Sequence, residues 1–209
     1  CSLYSGIEAN GVSRVYGDYS CAKQEKLHSV VVLDIEVSLR RENEDDEPEP
    51  GKNSRAKSDR IDLLLFDTKS CLLRFFEAKD FSNSEIRAEA DRTPKIVKQM
   101  QRYNEQLNAP NVRKEMLSGY SDHVDIINQL FSLHVPLPMP RDIDPVPRLL
   151  VFGFDEQQRK GKLKKEIDRL ENDFELAVYA IGNISSVEPN ALFSGGIKRW
   201  PAISTKGLP

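Results

Sequence analysis

Two carboxylates and one amine stand out by type and spacing. Asp62 sits in the apolar run IDLLLF, and Glu77 and Lys79 sit in LLRFFEAK about fifteen residues further on. Charges facing a core are costly without a purpose, so acids and an amine inside strongly apolar runs ask for one. Alternate strand side chains share a face, which puts Glu77 and Lys79 together. A hairpin symmetric about the polar turn 67–70 sets Asp62 opposite Phe75 and diagonal to Glu77, on the face that carries all three. A slip of one residue would send Asp62 to the other face. Two carboxylates offer hard oxygen ligands to Mg2+, which keeps positions open for water and a phosphate oxygen. The cation acidifies the water and neutralises charge on the phosphorus oxygens, while a nearby lysine orients the water or stabilises the transition state. The chemistry expected is metal-assisted phosphodiester hydrolysis. The plainer rival is an unrelated α/β protein in which Glu77 and Lys79 form a surface ion pair and the three side chains lie apart.

The elements that must position these groups follow from patterning. Residues 1–17 carry three glycines without a clear period and read as an irregular entry; 18–28 suit a short helix. SVVVLDIEVSLR (29–40) is dense in β-branched residues and reads as a strand. The stretch 41–58, acidic and then basic with two prolines in its acidic half, is a charged loop insertion. RIDLLLFD (60–67) and CLLRFFEAKDF (71–81) make an antiparallel hairpin. Thr93-Pro94 supplies an N-cap and first-turn proline for a helix running to about Leu107, and a further helical stretch covers parts of 111–132, with Ser121 as a cap. After a proline-rich loop come the strand RLLVFGF, the amphipathic helix GKLKKEIDRLEND and the strand FELAVYAIGNI; 186–209 is a weakly patterned tail. An antiparallel meander leading into β-α-β crossovers predicts a single α/β domain over 18–185, with a mixed central sheet flanked by helices.

Gln99 and Tyr103 lie at i and i+4 on the helix after the hairpin, within reach of a common ligand. Lys95, Lys98 and Arg102 border them and are candidate contacts to a phosphate backbone. The densest basic stretch, Arg159 to Lys165, could track a phosphate backbone or be a solvated helix face. A net charge of -3 from 30 basic and 33 acidic residues excludes a globally basic binder but leaves room for a local basic groove. Cys1, Cys21 and Cys71 have no CxxC spacing, which argues against a disulfide scaffold, a zinc site or an iron–sulfur cluster. His28, His123 and His134 are isolated, and no phosphate-cradling G-x-x-x-x-G-K-[ST] loop exists to drive an ATPase motor. No apolar run reaches the roughly 18–20 residues of a membrane span, so a soluble, cytoplasmic protein without a membrane partner is expected. Cys1 in place of Met suggests a fragment of a longer chain.

Asp62, then Glu77-Ala78-Lys79 on the next strand, then Gln99 and Tyr103 on the following helix resembles the PD-(D/E)xK nuclease superfamily, nearest to the branch with a QxxxY helix, the RecB-like nuclease domains. The resemblance spans roughly residues 20–180 in element order and five positions in motif. It implies a restriction-endonuclease-like fold and a Mg2+-dependent deoxyribonuclease, with Mn2+ able to substitute, acting in DNA defence or DNA processing. Asp62 and Glu77 would bind the metal, joined by the Ala78 backbone carbonyl. Lys79 would assist the attacking water, and Gln99 and Tyr103 would orient the DNA strand or the lysine. Many members add a glutamate from the first helix; Glu25 is the candidate here and Glu36, on the first strand, the competitor. Ile61 stands where the motif has proline, and the branch's upstream histidine has no clear counterpart. Such domains leave room for a homodimer or a larger complex with a motor or specificity subunit. A member that no longer cuts, serving as a nucleic-acid-binding or assembly module, is the second expectation.

Overall fold

Three runs rich in Val, Leu, Ile and Phe become one half of a sheet. β1 (Val30–Leu39), β2 (Asp59–Asp67) and β3 (Leu72–Asp80) form an antiparallel meander. The two-residue β4 (Asp142–Ile143), inside the proline-rich loop, adds in parallel to the start of β3. β5 (Arg148–Phe152) runs parallel to β3, and β6 (Ala177–Ile181) parallel to β5. The order is β1-β2-β3-β5-β6, a mixed sheet in a single α/β domain. The computed structural model describes residues 2–21, 29–39, 59–88, 92–131, 133, 135–184 and 192. The 41–58 insertion, Glu25, His28, His134 and nearly all of the 186–209 tail lie outside the described residues.

Helices cover both faces, which is why β2 and β3 read as near-continuous apolar runs and not as alternating ones. On one face α1 (Ser2–Tyr19) sets Val12 and Val15 against Val32, Leu63, Leu65, Phe76 and Phe152. On the other, α2 (Lys95–Asn108), α3 (Pro110–Leu130) and α5 (Lys164–Asn172) pack Ile96, Met100, Val124 and Ile167 over Leu64, Phe66, Phe75 and Val151. A short α4 (Glu156–Gln158), capped by Asp155, runs through a π-helical turn, Arg159–Leu163, into α5.

Several expectations change. The entry at 1–17 is not irregular but forms most of α1. Its glycines concealed it, since each costs a helix about 1 kcal/mol relative to alanine. Gly11 has a packing reason to be there: a Cβ would lie 3.2 Å from both Phe152 and Ile184. Thr93 does not cap α2; Pro94 holds the N-cap position, with no side-chain cap. Ser121 lies inside the unbroken α3 and donates its hydroxyl back to the Leu117 carbonyl at 2.8 Å.

The hairpin register also differs. Asp67 pairs with Leu72 and Leu64 with Phe75, so the turn is 68–71 instead of 67–70. Asp67 accepts from the Lys69 amide and the Ser70 hydroxyl, and Cys71 takes a left-handed backbone (φ 57°), which moves the closing pair. The shift is two residues, an even number. Asp62 therefore comes level with Glu77 and keeps the face that Phe75, Glu77 and Lys79 share.

Candidate active site

β3, β5 and β6 are parallel, so their carboxyl ends lie along one edge of the sheet, beside the first residues of antiparallel β2. In open α/β sheets that edge is where ligands bind. Asp62, Glu77 and Lys79 meet there. β2 and β3 stop pairing after Leu63 and Phe76, and the Asp62 carboxylate fills the opening, accepting from the Ala78 amide at 2.8 Å. A strand residue presents its N–H and C=O on the same edge, so the Ala78 carbonyl opens towards β2 as well. Glu77 is 2% exposed and Lys79 8%. The Lys79 ammonium lies 2.7 Å from Glu77 Oε1.

The next helix closes over the acid. Gln99 donates to Glu77 Oε1 at 2.8 Å and to the Tyr103 hydroxyl at 2.6 Å. The Tyr103 hydroxyl lies 3.2 Å from Glu77 Oε2 and donates to the Arg60 carbonyl, tying α2 to β2. The basic residues beside this face divide. Lys95 and Lys98 are exposed, whereas Arg102 is half-exposed and held 3.4 Å from Asp59.

Sequence reasoning missed Glu8. This acid reaches from α1 to accept from the Asp80 amide at 3.0 Å and the Asn83 side chain at 2.8 Å, with its other oxygen 4.0 Å from Lys79. The signal was present: Glu8, Val12, Val15 and Tyr19 repeat at helical spacing, an acid in line with a buried stripe. Glu36 lies in β1 between the pairs Ile35–Leu63 and Val37–Ile61, hence beside Asp62. Its side chain is exposed and points to Arg60 at 3.4 Å. Glu85 adds a fourth carboxylate, 3.6 Å from Lys79.

Burial pushes Glu77 up to about 8, with the Asp62 carboxylate adding to the rise and Lys79 opposing it. Asp62 is raised by burial too, against the pull of the Ala78 amide and Lys79. Burial disfavours the charge on Lys79, but the Glu77 carboxylate outweighs it and holds the ammonium above the ordinary lysine range. Tyr103 is raised by burial and by Glu77, so its hydroxyl is a neutral donor. The site is thus short of positive charge. Among the described residues no three His, Cys, Asp or Glu side chains are grouped to hold a metal ion. Two carboxylates and a carbonyl match a hard divalent cation in donor type and leave its other positions to water and a phosphate oxygen.

No family model, no curated protein and no solved structure matches this chain. Among the described residues no helix is long and apolar enough to cross a membrane.

Proposed function

We propose that this chain is a metal-dependent DNA phosphodiesterase with a restriction-endonuclease-like fold. The observation that carries the reading is the convergence of Asp62, Glu77, Lys79, Gln99 and Tyr103 on one buried locus at the carboxyl ends of parallel strands. Mg2+, or Mn2+ in its place, supplies an acidified water and neutralises charge on the phosphate. Asp62 and Glu77 would hold it, with the Ala78 carbonyl. Gln99 and Tyr103 fix the Glu77 carboxylate in one orientation. Lys79, anchored by Glu77, presents an ammonium that orients the attacking water and stabilises the developing oxyanion. Glu8 steadies that ammonium from the helix side. Lys95 and Lys98, exposed on α2, are placed to meet the DNA backbone.

A second reading has its own support. Both Glu77 oxygens already have partners within the chain, as they would in a non-cutting nucleic-acid-binding or assembly module. Plasmid and single-stranded DNA incubated with Mg2+, Mn2+ or EDTA separate the two. Metal-dependent cleavage lost in Asp62→Ala and Lys79→Ala is the expected result; binding without cleavage under every metal condition overturns it in favour of the module.

A further inference from the structure

Lys79 is the amine on which the proposed chemistry depends, yet at 8% exposure it is closed to an incoming phosphate. Three carboxylates enclose its ammonium, which has three N–H donors. Glu77 Oε1 takes one donor at 2.7 Å; Glu85 at 3.6 Å and Glu8 at 4.0 Å attract the ion but lie beyond hydrogen-bond distance. A phosphate oxygen bonds an ammonium at about 2.7–2.9 Å, so it has to enter where one of these acids now stands.

The three acids are held very differently. Glu77 is buried and bonded by Gln99 and Tyr103. Glu8 accepts from the Asp80 amide and the Asn83 side chain, and its departure would strand both donors. The Glu85 side chain is 38% exposed and, among the described residues, its carboxylate accepts no hydrogen bond. Its backbone, by contrast, is fixed. The Glu85 amide donates to Asn83 Oδ1 at 2.9 Å, and Ile86 beside it is buried in the core that α2 covers. Arg87 donates to the Phe81 carbonyl and lies over the Phe81 ring, which closes the loop. The Glu85 side chain can therefore rotate away from Lys79 without moving the segment that carries it. A partly exposed ion pair of this kind is weak, so the rotation costs little.

We infer that Glu85 holds the place of a substrate phosphate at Lys79 and is displaced when a nucleic-acid strand enters, so that the arrangement seen is the closed form of the site. A carboxylate and a phosphodiester are both anions that present oxygen acceptors to the same ammonium, and at this range each repels the other. Glu8 and Glu77 stay behind and keep the ammonium in position while the phosphate takes the vacated side. The inference rests on the proposed nuclease reading for the identity of the anion.

Polarisation of a fluorescein-labelled DNA duplex and of its separated strand, in EDTA so that no cutting intervenes, reads binding alone. Glu85→Gln is expected to bind the preferred form roughly three- to tenfold more tightly than wild type. Removing any acid raises affinity slightly through net charge. Glu36→Gln, which drops one equal charge at an exposed position facing Arg60, is therefore the control and is expected to stay within about twofold of wild type. The gain is also expected to vanish on a Lys79→Met background, because the anion then has no ammonium to reach; the comparison with Glu36→Gln stands even where Lys79→Met does not fold. No gain in Glu85→Gln, an equal gain in Glu36→Gln, or a gain retained beside Lys79→Met overturns the inference. In Mg2+, cleavage by Glu85→Gln is expected to show a lower KM than wild type, and a fall in kcat/KM would make Glu85 part of the chemistry and overturn the inference too. A wild type that cuts under no metal condition removes the nuclease reading, while the binding results in EDTA still decide the place of Glu85.

Discussion

Replacing Glu77 by Gln tests two opposed expectations about the buried pair. Treated as an ordinary buried salt bridge, the change strips Lys79 of its counter-ion and destabilises the protein by about 3–5 kcal/mol. The electrostatics of the site argue the reverse above neutral pH. Glu77 has an ordinary value of 4.5 and is pushed up to about 8 by burial and by Asp62. A group raised on folding contributes stability that is full below its unfolded value and is lost as pH rises through its folded value. Between about 4.5 and about 8 the folded chain therefore carries an extra proton on Glu77, and stability falls by about 1.4 kcal/mol per pH unit. Across the window the loss is on the order of 5 kcal/mol.

The Gln variant is neutral throughout and lacks this slope. Urea unfolding in EDTA at pH 5.5, 7 and 8.5 reads the difference. At pH 5.5 wild type and Glu77→Gln are expected to be close, because both present a neutral group. At pH 8.5 the variant is expected to be the more stable by a few kcal/mol. Lys79, raised by Glu77, stays protonated in both states across this range. Asp62, also raised by burial, contributes with the same sign. Asp144, lowered by its bonds to Arg148 against the pull of burial, changes only in acid. If Glu77→Gln is instead several kcal/mol less stable at pH 8.5, the pair is a conventional ion pair and the reasoning fails.

Three further outcomes follow from single contacts. Tyr103→Phe removes the hydroxyl that Gln99, Glu77 and the Arg60 carbonyl share in a position 1% exposed, and is expected to lower unfolding free energy by about 1–3 kcal/mol in the same urea assay. Gly153→Ala meets both a left-handed backbone and the Asp80 carboxylate; a loss of roughly 2 kcal/mol or more by thermal or urea unfolding is expected. Glu8→Gln is expected to reduce plasmid cleavage by roughly 10–100-fold with unfolding free energy little changed, whereas Glu36→Gln, which alters an exposed group facing Arg60, leaves cleavage near wild type. Equal effects of the two glutamine variants would remove Glu8 from its assigned place.

The site was legible where chemistry overrode pattern. Asp62, Glu77 and Lys79 break apolar runs, and alternation alone puts them on one face. The pairing register was not legible, because the turn closes through the Asp67 side chain and a left-handed Cys71, neither of which leaves a signal as strong as Asn-Gly. The error survived because it was even. The first helix was lost for the opposite reason. Local propensity, lowered by Gly6, Gly11 and Gly17, pointed away from helix, while contacts with β5 that are distant in sequence favour it. With α1 unread, Glu8 was not weighed beside Glu25 and Glu36, and its approach to Lys79 passed unnoticed.

The charge arrangement around Lys79 is unbalanced, and that bears on the proposed role. Lys79 has Glu77 at 2.7 Å, Glu85 at 3.6 Å and Glu8 at 4.0 Å, and Asp62 adds its field. The nearby guanidinium groups of Arg60 and Arg102 turn instead to Glu36 and Asp59. A buried pair kept for stability alone could be replaced by apolar side chains at no loss, and a network kept for specificity would be expected to balance its charge. Here acids outnumber the amine that faces them, and burial answers by holding a proton on Glu77. A divalent cation, if the proposed reading holds, would supply the same relief without the proton. Cation binding should therefore release a proton below pH about 8 and remove the alkaline loss of stability in wild type while leaving Asp62→Asn unaffected. Unfolding at pH 8.5 with and without Mn2+ measures this directly, and an equal response of the two proteins would place the ion elsewhere.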